Sequence, residues 1–329
     1  MKVLVTGGGG FIGSHLIDSQ LAQGHYVRSV DLHADRLAYV ANSPKLEIVT
    51  GDITETEVAE KIMQDVEVIY HLASAHLDIS LSEERYHNVN VDGTLNLLKA
   101  ARAAGVKRFV HCSSVGVMGD IKNPPADESY PCWPTNIYEK TKLAGELAAL
   151  KFSREMDFPV IVARPAWVYG PRCPRTQKLL RMIGKGRFPI FGNGRNLRHP
   201  VYVADCVRGL ELCAKGSGNS GHVYIIAGSV PVTIEELTSA IAQAINVPPP
   251  KLHIPITLGK LAGTVLQFTS KPLGRQPPFS QRSLDFFRKN NAYDISKASQ
   301  ELGYEPQFDL RQGLEKTLKE QEEAAWTIG

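Results

Sequence analysis

The residues of this chain best suited to chemistry are Tyr138 and Lys142, in the run Tyr138-Glu-Lys-Thr-Lys142, with the serine pair Ser113 and Ser114 upstream of them. On a helix, positions i and i+4 share one face, so the ammonium stands beside the phenol. A free phenol has a pKa of about 10, too high for a base at neutral pH. A neighbouring cation favours the phenolate and brings the tyrosine into a range useful for proton transfer. A serine hydroxyl close by can hydrogen-bond the same substrate oxygen. Such a set moves a proton on or off an alcohol or carbonyl oxygen.

The elements that must position these groups follow from periodicity. Ile137 to Met156 reads as a helix carrying Tyr138 and Lys142, and Phe109 to Ser113 reads as the strand that ends at the serines. Further strands are predicted over Lys2 to Thr6, Tyr26 to Asp31, Leu46 to Thr50, Val68 to His71 and Val160 to Arg164. Helices are predicted over Phe11 to Gln23, Glu55 to Met63 and Tyr86 to Ala104. Alternation of this kind gives an α/β fold, a Rossmann-type doubly wound parallel sheet with helices on both faces, and ligands at the carboxyl ends of its strands.

Past Pro171 the rhythm changes. Short strands return at Val201 to Val203 and Val223 to Ile226, and Thr233 and Glu236 have capping-box spacing ahead of an apolar run to Ile245. Two helices follow, Ser296 to Leu302 behind the cap Asp294, and Leu310 to Ala324. The expected organisation is a dinucleotide-binding domain over 1–171 with returning segments near 200–228, and a smaller, mostly helical C-terminal substrate domain over 172–199 and 229–329.

The first strand runs into Gly7, Gly10 and Gly13, which lie before and at the start of the first helix. A dinucleotide fingerprint needs glycine here for a turn of unusual dihedrals, for close approach of backbone to a pyrophosphate, and for tight packing of helix on strand. The pyrophosphate then lies on the helix N-terminus, where free amides and the dipole favour an anion. The second strand ends in Asp31, where an acid binds the adenosine ribose hydroxyls. Asp31 repels a 2′-phosphate and favours NAD, while Arg28 and Arg36 leave NADP open.

Composition adds limits. The chain has 329 residues, a net charge of +3 and 22% charged residues, which points to neither a nucleic-acid binder nor a partner of acidic surfaces. One stretch is one-sided: from Arg164 to Arg198 there are nine Lys and Arg and no acid, either a solvated face or a site for an anionic substrate. Five cysteines, Cys112, Cys132, Cys173, Cys206 and Cys213, lack paired metal-ligand spacing and fit a reducing, cytoplasmic compartment; no metal site is expected. The apolar stretch Leu252 to Phe268, interrupted by Lys260, is too short to span a bilayer and reads as a substrate-pocket wall or a membrane-surface helix. No transmembrane segment is predicted.

The spacing Gly7-x-x-Gly10-x-x-Gly13 after Thr6, with Asp31, Asn90 to Thr94, Ser114, Tyr138, Lys142, Arg164-Pro165, Val168 to Pro171, Arg198 to Asp205 and Tyr293 to Tyr304, resembles the extended short-chain dehydrogenase/reductase superfamily. The likeness spans nearly the whole chain. It implies hydride transfer between a substrate carbon and NAD, with Tyr138 moving the hydroxyl proton and Lys142 holding the ribose. The run Ser114-Val-Gly-Val-Met-Gly119 is similar to the family's S-x-x-V-Y-G, which implies Ser114 rather than Ser113. By the same resemblance Phe11, Ile12, Asp52, Ile53, Leu72, Ala73, Ser74, Asn90, Pro165 and Val168 join the glycines and Asp31 around the cofactor. Trp167 and Arg198 are implied on the substrate side. A homodimer through the helices Tyr86 to Ala104 and Ile137 to Met156 is implied as well.

The reaction narrows by absences. Sugar 4,6-dehydratases carry an Asp-Glu pair directly after the catalytic Ser or Thr, and nucleotide-sugar decarboxylases a glutamate at the second place; here stand Val115 and Gly116, which transfer no proton. Two chemistries remain: a dehydrogenase or reductase resembling the 3β-hydroxysteroid dehydrogenase and dihydroflavonol reductase branch, and a nucleotide-sugar 4-epimerase. Arg198 stands where the epimerases bind phosphate, though an ion pair with Asp205 would also account for it. Trp167 replaces an asparagine common in epimerases and offers an apolar face, to substrate or to the core. Arg282 and Asp285 are similar to a second epimerase phosphate motif but lie out of register. The balance favours the hydroxysteroid dehydrogenase-like reading. A non-catalytic NAD(P)-sensing protein on the same fold is the remaining class, and the intact Ser114, Tyr138 and Lys142 speak against it.

Overall fold

The computed structural model describes residues 1–76, 81–216, 220–261 and 281–326. The apolar residues Val3, Leu4 and Val5 centre the first strand, β1 (Lys2–Thr6), which is followed by α1 (Phe11–Ala22), β2 (Tyr26–Asp31), β3 (Leu46–Thr50), α2 (Thr56–Lys61) and β4 (Val68–His71). Next come α3 (Glu83–His87), α4 (Gly93–Ala103), β5 (Arg108–Cys112), α5 (Ile137–Met156), β6 (Val160–Pro165), β7 (Trp167–Tyr169) and α6 (Pro174–Gly184). The chain continues through β8 (Ile190–Phe191), β9 (Leu197–Arg198), β10 (Pro200–Tyr202), α7 (Val203–Lys215) and β11 (Val223–Ile226). It ends with β12 (Val232–Thr233), α8 (Ile234–Ala244), β13 (His253–Ile254), α9 (Gln281–Arg288), α10 (Ser296–Leu302) and α11 (Leu310–Trp326).

Seven strands form one parallel sheet in the order β11-β6-β5-β4-β1-β2-β3. The order reverses between β1 and β4, which opens a crevice at their carboxyl ends. Strand residues alternate between two cores, as a sheet covered on both faces requires. Val3, Val5, Tyr70, Val110 and Ile161 pack against Leu16 and Ile17 of α1 and Val207 and Leu210 of α7. Leu4, Ile69, Phe109 and Val160 pack against Leu97 and Leu98 of α4 and Ala149 and Phe152 of α5. A third core joins β7, β8 and β10 to α6, α8, α9 and α11.

The predicted helix over Ile137 to Met156 is found with those bounds, opened by Asn136, whose side chain accepts from the Glu139 amide. The capping box of Thr233 and Glu236 is present at α8. The predicted helix over Tyr86 to Ala104 is found as one continuous helical run with a π turn inside it. Ser82 caps α3, one π-helical turn spans Asn88–Asp92, and α4 follows. The π turn has a physical reason: a Cβ on Gly145 of α5 would stand 2.2 Å from the Asn90 carbonyl oxygen, so α5 and this turn meet backbone to backbone. The wide turn lets Asn90 face α5 and the end of β4 together.

Of the two returning strands, β11 joins the main sheet beside β6, whereas β10 pairs with β7 in a separate two-stranded sheet and Val203 already begins α7. Asp294 lies one residue before the N-cap position Ile295 of α10, and its carboxylate accepts from the Ser296 amide at 2.8 Å. The helices α6 and α7 carry no signal recognised in the sequence, although Pro174 opens α6 at a first-turn position where proline is well tolerated. The apolar stretch Leu252 to Phe268 lies within the described residues only as far as Leu261, and there Leu252, Leu258 and Leu261 are exposed.

Candidate active site

The glycine loop lies in the crevice. Gly7 has φ +73°, and a Cβ on it would stand 2.7 Å from the Ala73 amide nitrogen; a Cβ on Gly13 would stand 2.2 Å from the Gly7 carbonyl oxygen. The loop is thus closed on the segment after β4 and on its own helix, and larger residues do not fit. No side chain caps α1, so its first amides face the loop mouth uncapped. The Asp31 carboxylate is fixed beside the loop by the amides of Gly9 at 3.0 Å and His33 at 2.9 Å. A carboxylate accepts about four hydrogen bonds, so ribose hydroxyls can still be bound. Arg28 is buried against Glu47 and the carbonyls of Ile62 and Gln64, which removes it from a 2′-phosphate site.

A hydrogen-bonded chain of fixed polarity ties the crevice together. The Thr94 hydroxyl donates to the Asn90 carbonyl at 2.9 Å, so it accepts from Nε2 of His71 at 2.9 Å. Nδ1 of His71 then accepts from the Thr6 hydroxyl at 2.8 Å, and Thr6 Oγ1 accepts from the Ala73 amide at 3.2 Å. Burial lowers the His71 pKa from 6.5 to about 3, with the Lys142 charge adding to the effect, so the imidazole is neutral. An unfolded histidine binds a proton below about pH 6.5 that this one does not take until about pH 3. Stability is therefore expected to fall as pH drops through that window. In denaturant titrations His71→Gln should flatten the slope by about 1.4 kcal/mol per pH unit. An unchanged slope would contradict the assignment.

Asn90, expected at the cofactor, has its side chain occupied by protein: Oδ1 accepts from the Ala75 amide at 2.9 Å and from Ser74 Oγ at 3.0 Å. Its Nδ2 donates to the Ala75 carbonyl at 3.2 Å and Thr141 Oγ1 at 2.9 Å. It therefore holds the segment Leu72, Ala73, Ser74 against α5. Asp52 pairs with Arg85 and takes the Thr54 amide and hydroxyl; burial would raise its pKa, but these bonds hold it below the usual carboxylate range. Ile53 is buried under α4, and Val168 is buried in the third core.

On α5, Tyr138 is half-buried and Lys142 is buried one turn further on. The Lys142 ammonium donates to the Cys112 carbonyl at 2.6 Å, two residues before Ser114. Burial lowers the Lys142 pKa, opposed by Cys112 and Glu146. Another turn along the same face, Glu146 pairs with Arg164 at 2.5 Å and accepts from Ser113 Oγ at 2.6 Å. Ser113 is consequently buried and engaged, and the half-buried Ser114 is the serine on the crevice side. Its Oγ accepts from the Gly116 amide at 3.0 Å and caps a short helical turn that packs on α5.

Sequence reasoning missed His76. Its imidazole centroid lies 4.4 Å from that of the Tyr138 ring, with the planes at 57°. It missed Phe286 as well, which joins the two expected substrate residues. Trp167 is 6.0 Å from the Phe286 ring and stacks on Tyr169, and the Arg198 guanidinium lies 4.7 Å over Phe286. Arg198 is buried and donates to the carbonyls of Asp285 and Phe286 and to Asn291, and burial lowers its pKa to about 10. Its alternative partner, Asp205, instead accepts from the Gln307 and Phe308 amides at 2.8 and 3.1 Å. Of the basic stretch, Arg164, Arg172 and Arg198 turn to protein partners, while Arg175, Lys178, Arg181, Lys185, Arg187 and Arg195 are exposed.

A glycine loop at the switch point of a parallel sheet, an acid ending β2, and Ser114, Tyr138 and Lys142 at the neighbouring strand end define a nicotinamide-dinucleotide enzyme of the short-chain dehydrogenase/reductase kind. The chain belongs to the NAD-dependent epimerase/dehydratase family, whose model matches residues 3–227. It is 32% identical over 97% of its length to the UDP-glucose 4-epimerase of Mycolicibacterium smegmatis, covering 98% of that protein. It is 31% identical over 96% of its length to the 3-beta-hydroxysteroid dehydrogenase of Mycolicibacterium neoaurum, covering 90% of that protein. A solved relative, the dTDP-glucose 4,6-dehydratase of Streptomyces venezuelae with NAD and TYD bound, superimposes with a TM-score of 0.81 at 29% identity, covering 99% of this chain and 98% of that one. The cofactor of the family is NAD, and the loop, the uncapped α1 and Asp31 fit it.

Proposed function

We propose that this enzyme interconverts a secondary alcohol and its ketone with net transfer of hydride, in the manner of the hydroxysteroid dehydrogenases. The observation that carries the reading is the commitment of Arg198. Its guanidinium is held by the carbonyls of Asp285 and Phe286, so the group that would clamp a sugar diphosphate is already engaged, and Trp167 and Phe286 beside it are apolar. The named hydroxysteroid dehydrogenase relative supports the same class.

NAD supplies the hydride acceptor or donor when bound. In the oxidative direction Ser114 holds the substrate hydroxyl and Tyr138 takes its proton. Lys142, with a proton on the Cys112 carbonyl, keeps two more for the ribose and biases Tyr138 towards phenolate. Dehydration would need an acid at 115 or 116. The Glu139 Cγ lies 3.4 Å from where a Cβ on Gly116 would be, but its carboxylate is bound by Lys289 at 2.9 Å and by the Thr135 amide at 2.7 Å. Burial would raise its pKa, yet these bonds hold it below the usual range, which makes it a poor acid.

A 4-epimerase is the second reading. An open surface depression lined by Gly192, Asn193, Asn196, Ile256 and Arg288 is the feature that would favour it, since it offers polar groups and a cation. Steady-state assays with secondary alcohols and with UDP-hexoses, following NADH, separate the two. Net NADH from an alcohol supports the first reading; sugar interconversion without net NADH supports the second.

The protein is also proposed to form a homodimer through α4 and α5, where Leu147 and Met156 are 55% and 41% exposed. Light scattering tests this, and a monomer would contradict it. A cytoplasmic setting is supported by the five unpaired cysteines. Among the described residues no helix is long and apolar enough to cross a membrane.

A further inference from the structure

In a net oxidation Tyr138 must pass one proton to water in each turnover, and in a reduction it must recover one. Among the described residues, the following groups stand near it. Lys142 is buried and donates to the Cys112 carbonyl, and the side chain of Asn90 is held by Ala75, Ser74 and Thr141. His71 is buried and bonded at both ring nitrogens. Glu139, next to Tyr138 in the chain, is turned to Lys289 and Thr135. The turn after β5 offers Ser114, which does not titrate in this range. His76 is different: it is exposed, while Tyr138 is half-buried, and its ring lies against the phenol at 4.4 Å between centroids.

His76 is also well placed by its neighbours. The residue before it, Ala75, has both its amide and its carbonyl bonded by Asn90, and the same Asn90 bonds Thr141 on α5. The backbone that carries the imidazole is thereby fixed to the helix that carries the phenol.

We propose that His76 is a positioning and proton-relay residue that exchanges the Tyr138 proton with solvent; this rests on the net-oxidoreductase reading above. In the oxidative direction the substrate O–H proton moves to the Tyr138 phenolate, and NAD⁺, when bound, would accept the hydride from the substrate carbon. One imidazole nitrogen of His76 then takes the phenolic proton, and the imidazolium releases a proton to water. The reverse order serves reduction. An imidazole suits the task because its ordinary pKa lies near neutrality, so it both takes and gives the proton at working pH.

The test uses the NAD complex of the full chain. Tyrosinate absorbance is titrated in the wild type, His76→Phe and His76→Gln, with Tyr138→Phe as the blank that isolates Tyr138. His76→Phe keeps the ring contact and removes the proton site. It is expected to bind NAD like the wild type and to hold about tenfold less Tyr138 phenolate at neutral pH, with His76→Gln between the two. Turnover of a secondary alcohol should fall about 10–100-fold in His76→Phe, and free imidazole should restore much of it in His76→Ala. An unchanged titration in His76→Phe, or an His76→Ala enzyme that imidazole does not rescue, would overturn the relay. If the wild type oxidises no secondary alcohol, the substrate reading fails, and the titration still decides the place of His76.

Discussion

Tyr138→Phe is expected to fold, to bind NAD with wild-type affinity and to lose about 10²–10⁴-fold in turnover, the usual contribution of a positioned acid–base group. The expectation follows from where the phenol stands. Its helix is opened by Asn136 and packed through Gly145 on the Asn90 turn, and neither feature involves the hydroxyl. The proposed cofactor site, made of the glycine loop, Asp31 and Lys142, is left in place by the substitution. What is lost is the oxygen that takes or gives the substrate proton, while Lys142 is buried and bonded to Cys112, and Glu139 is held by Lys289. Stopped-flow or steady-state NADH formation at saturating NAD measures the loss. Activity within threefold or so of the wild type would remove Tyr138 from the mechanism.

Glu146→Leu is expected to destabilise the fold by about 3–5 kcal/mol, the range for breaking a buried ion pair from one side. Glu146 and Arg164 have side chains 1% and 6% exposed, so the guanidinium left behind has little access to water. Burial would lower the Arg164 pKa, but the Glu146 carboxylate reverses this and raises it; without Glu146 that compensation is gone. Ser113 loses its acceptor as well. The double variant Glu146→Leu, Arg164→Met should recover much of the loss, because a well-packed apolar pair commonly matches a buried ion pair in stability. Chemical denaturation of the three proteins measures the effect, and additive losses in the double variant would contradict this account of the pair.

The parts of the site legible in the sequence are those fixed by neighbours within a turn or a loop. Tyr138 and Lys142 needed only the helical period, and the glycine loop only the steric demands of a strand turning into a helix. The parts that were not legible depend on contacts distant in the chain. Ser113 and Ser114 are alike in local sequence, and what distinguishes them in the fold is Glu146, which takes up Ser113 from α5. The helix predicted over Tyr86 to Ala104 is present, but its π turn, where Asn90 bonds Ala75 on one side and Thr141 on the other, carries no local signal. Arg198 is expected on the substrate side, with an ion pair to Asp205 as the alternative; Asp205 serves the amides of residues 307 and 308, and α9 supplies carbonyls for the arginine. His76 meets Tyr138 only through the fold, and a single histidine after a strand carries no periodic signal.

The most direct test of a net oxidoreductase is the state of its cofactor after purification without added nucleotide. An enzyme that sends its hydride away must exchange NAD in every cycle, whereas an epimerase takes the hydride back and can retain it. Denaturing the purified protein and separating the released nucleotide is expected to give far less than one NAD per chain, with NADH accumulating when NAD and a secondary alcohol are supplied. One tightly held NAD per chain, with interconversion of UDP-hexoses and no net NADH, would contradict the account.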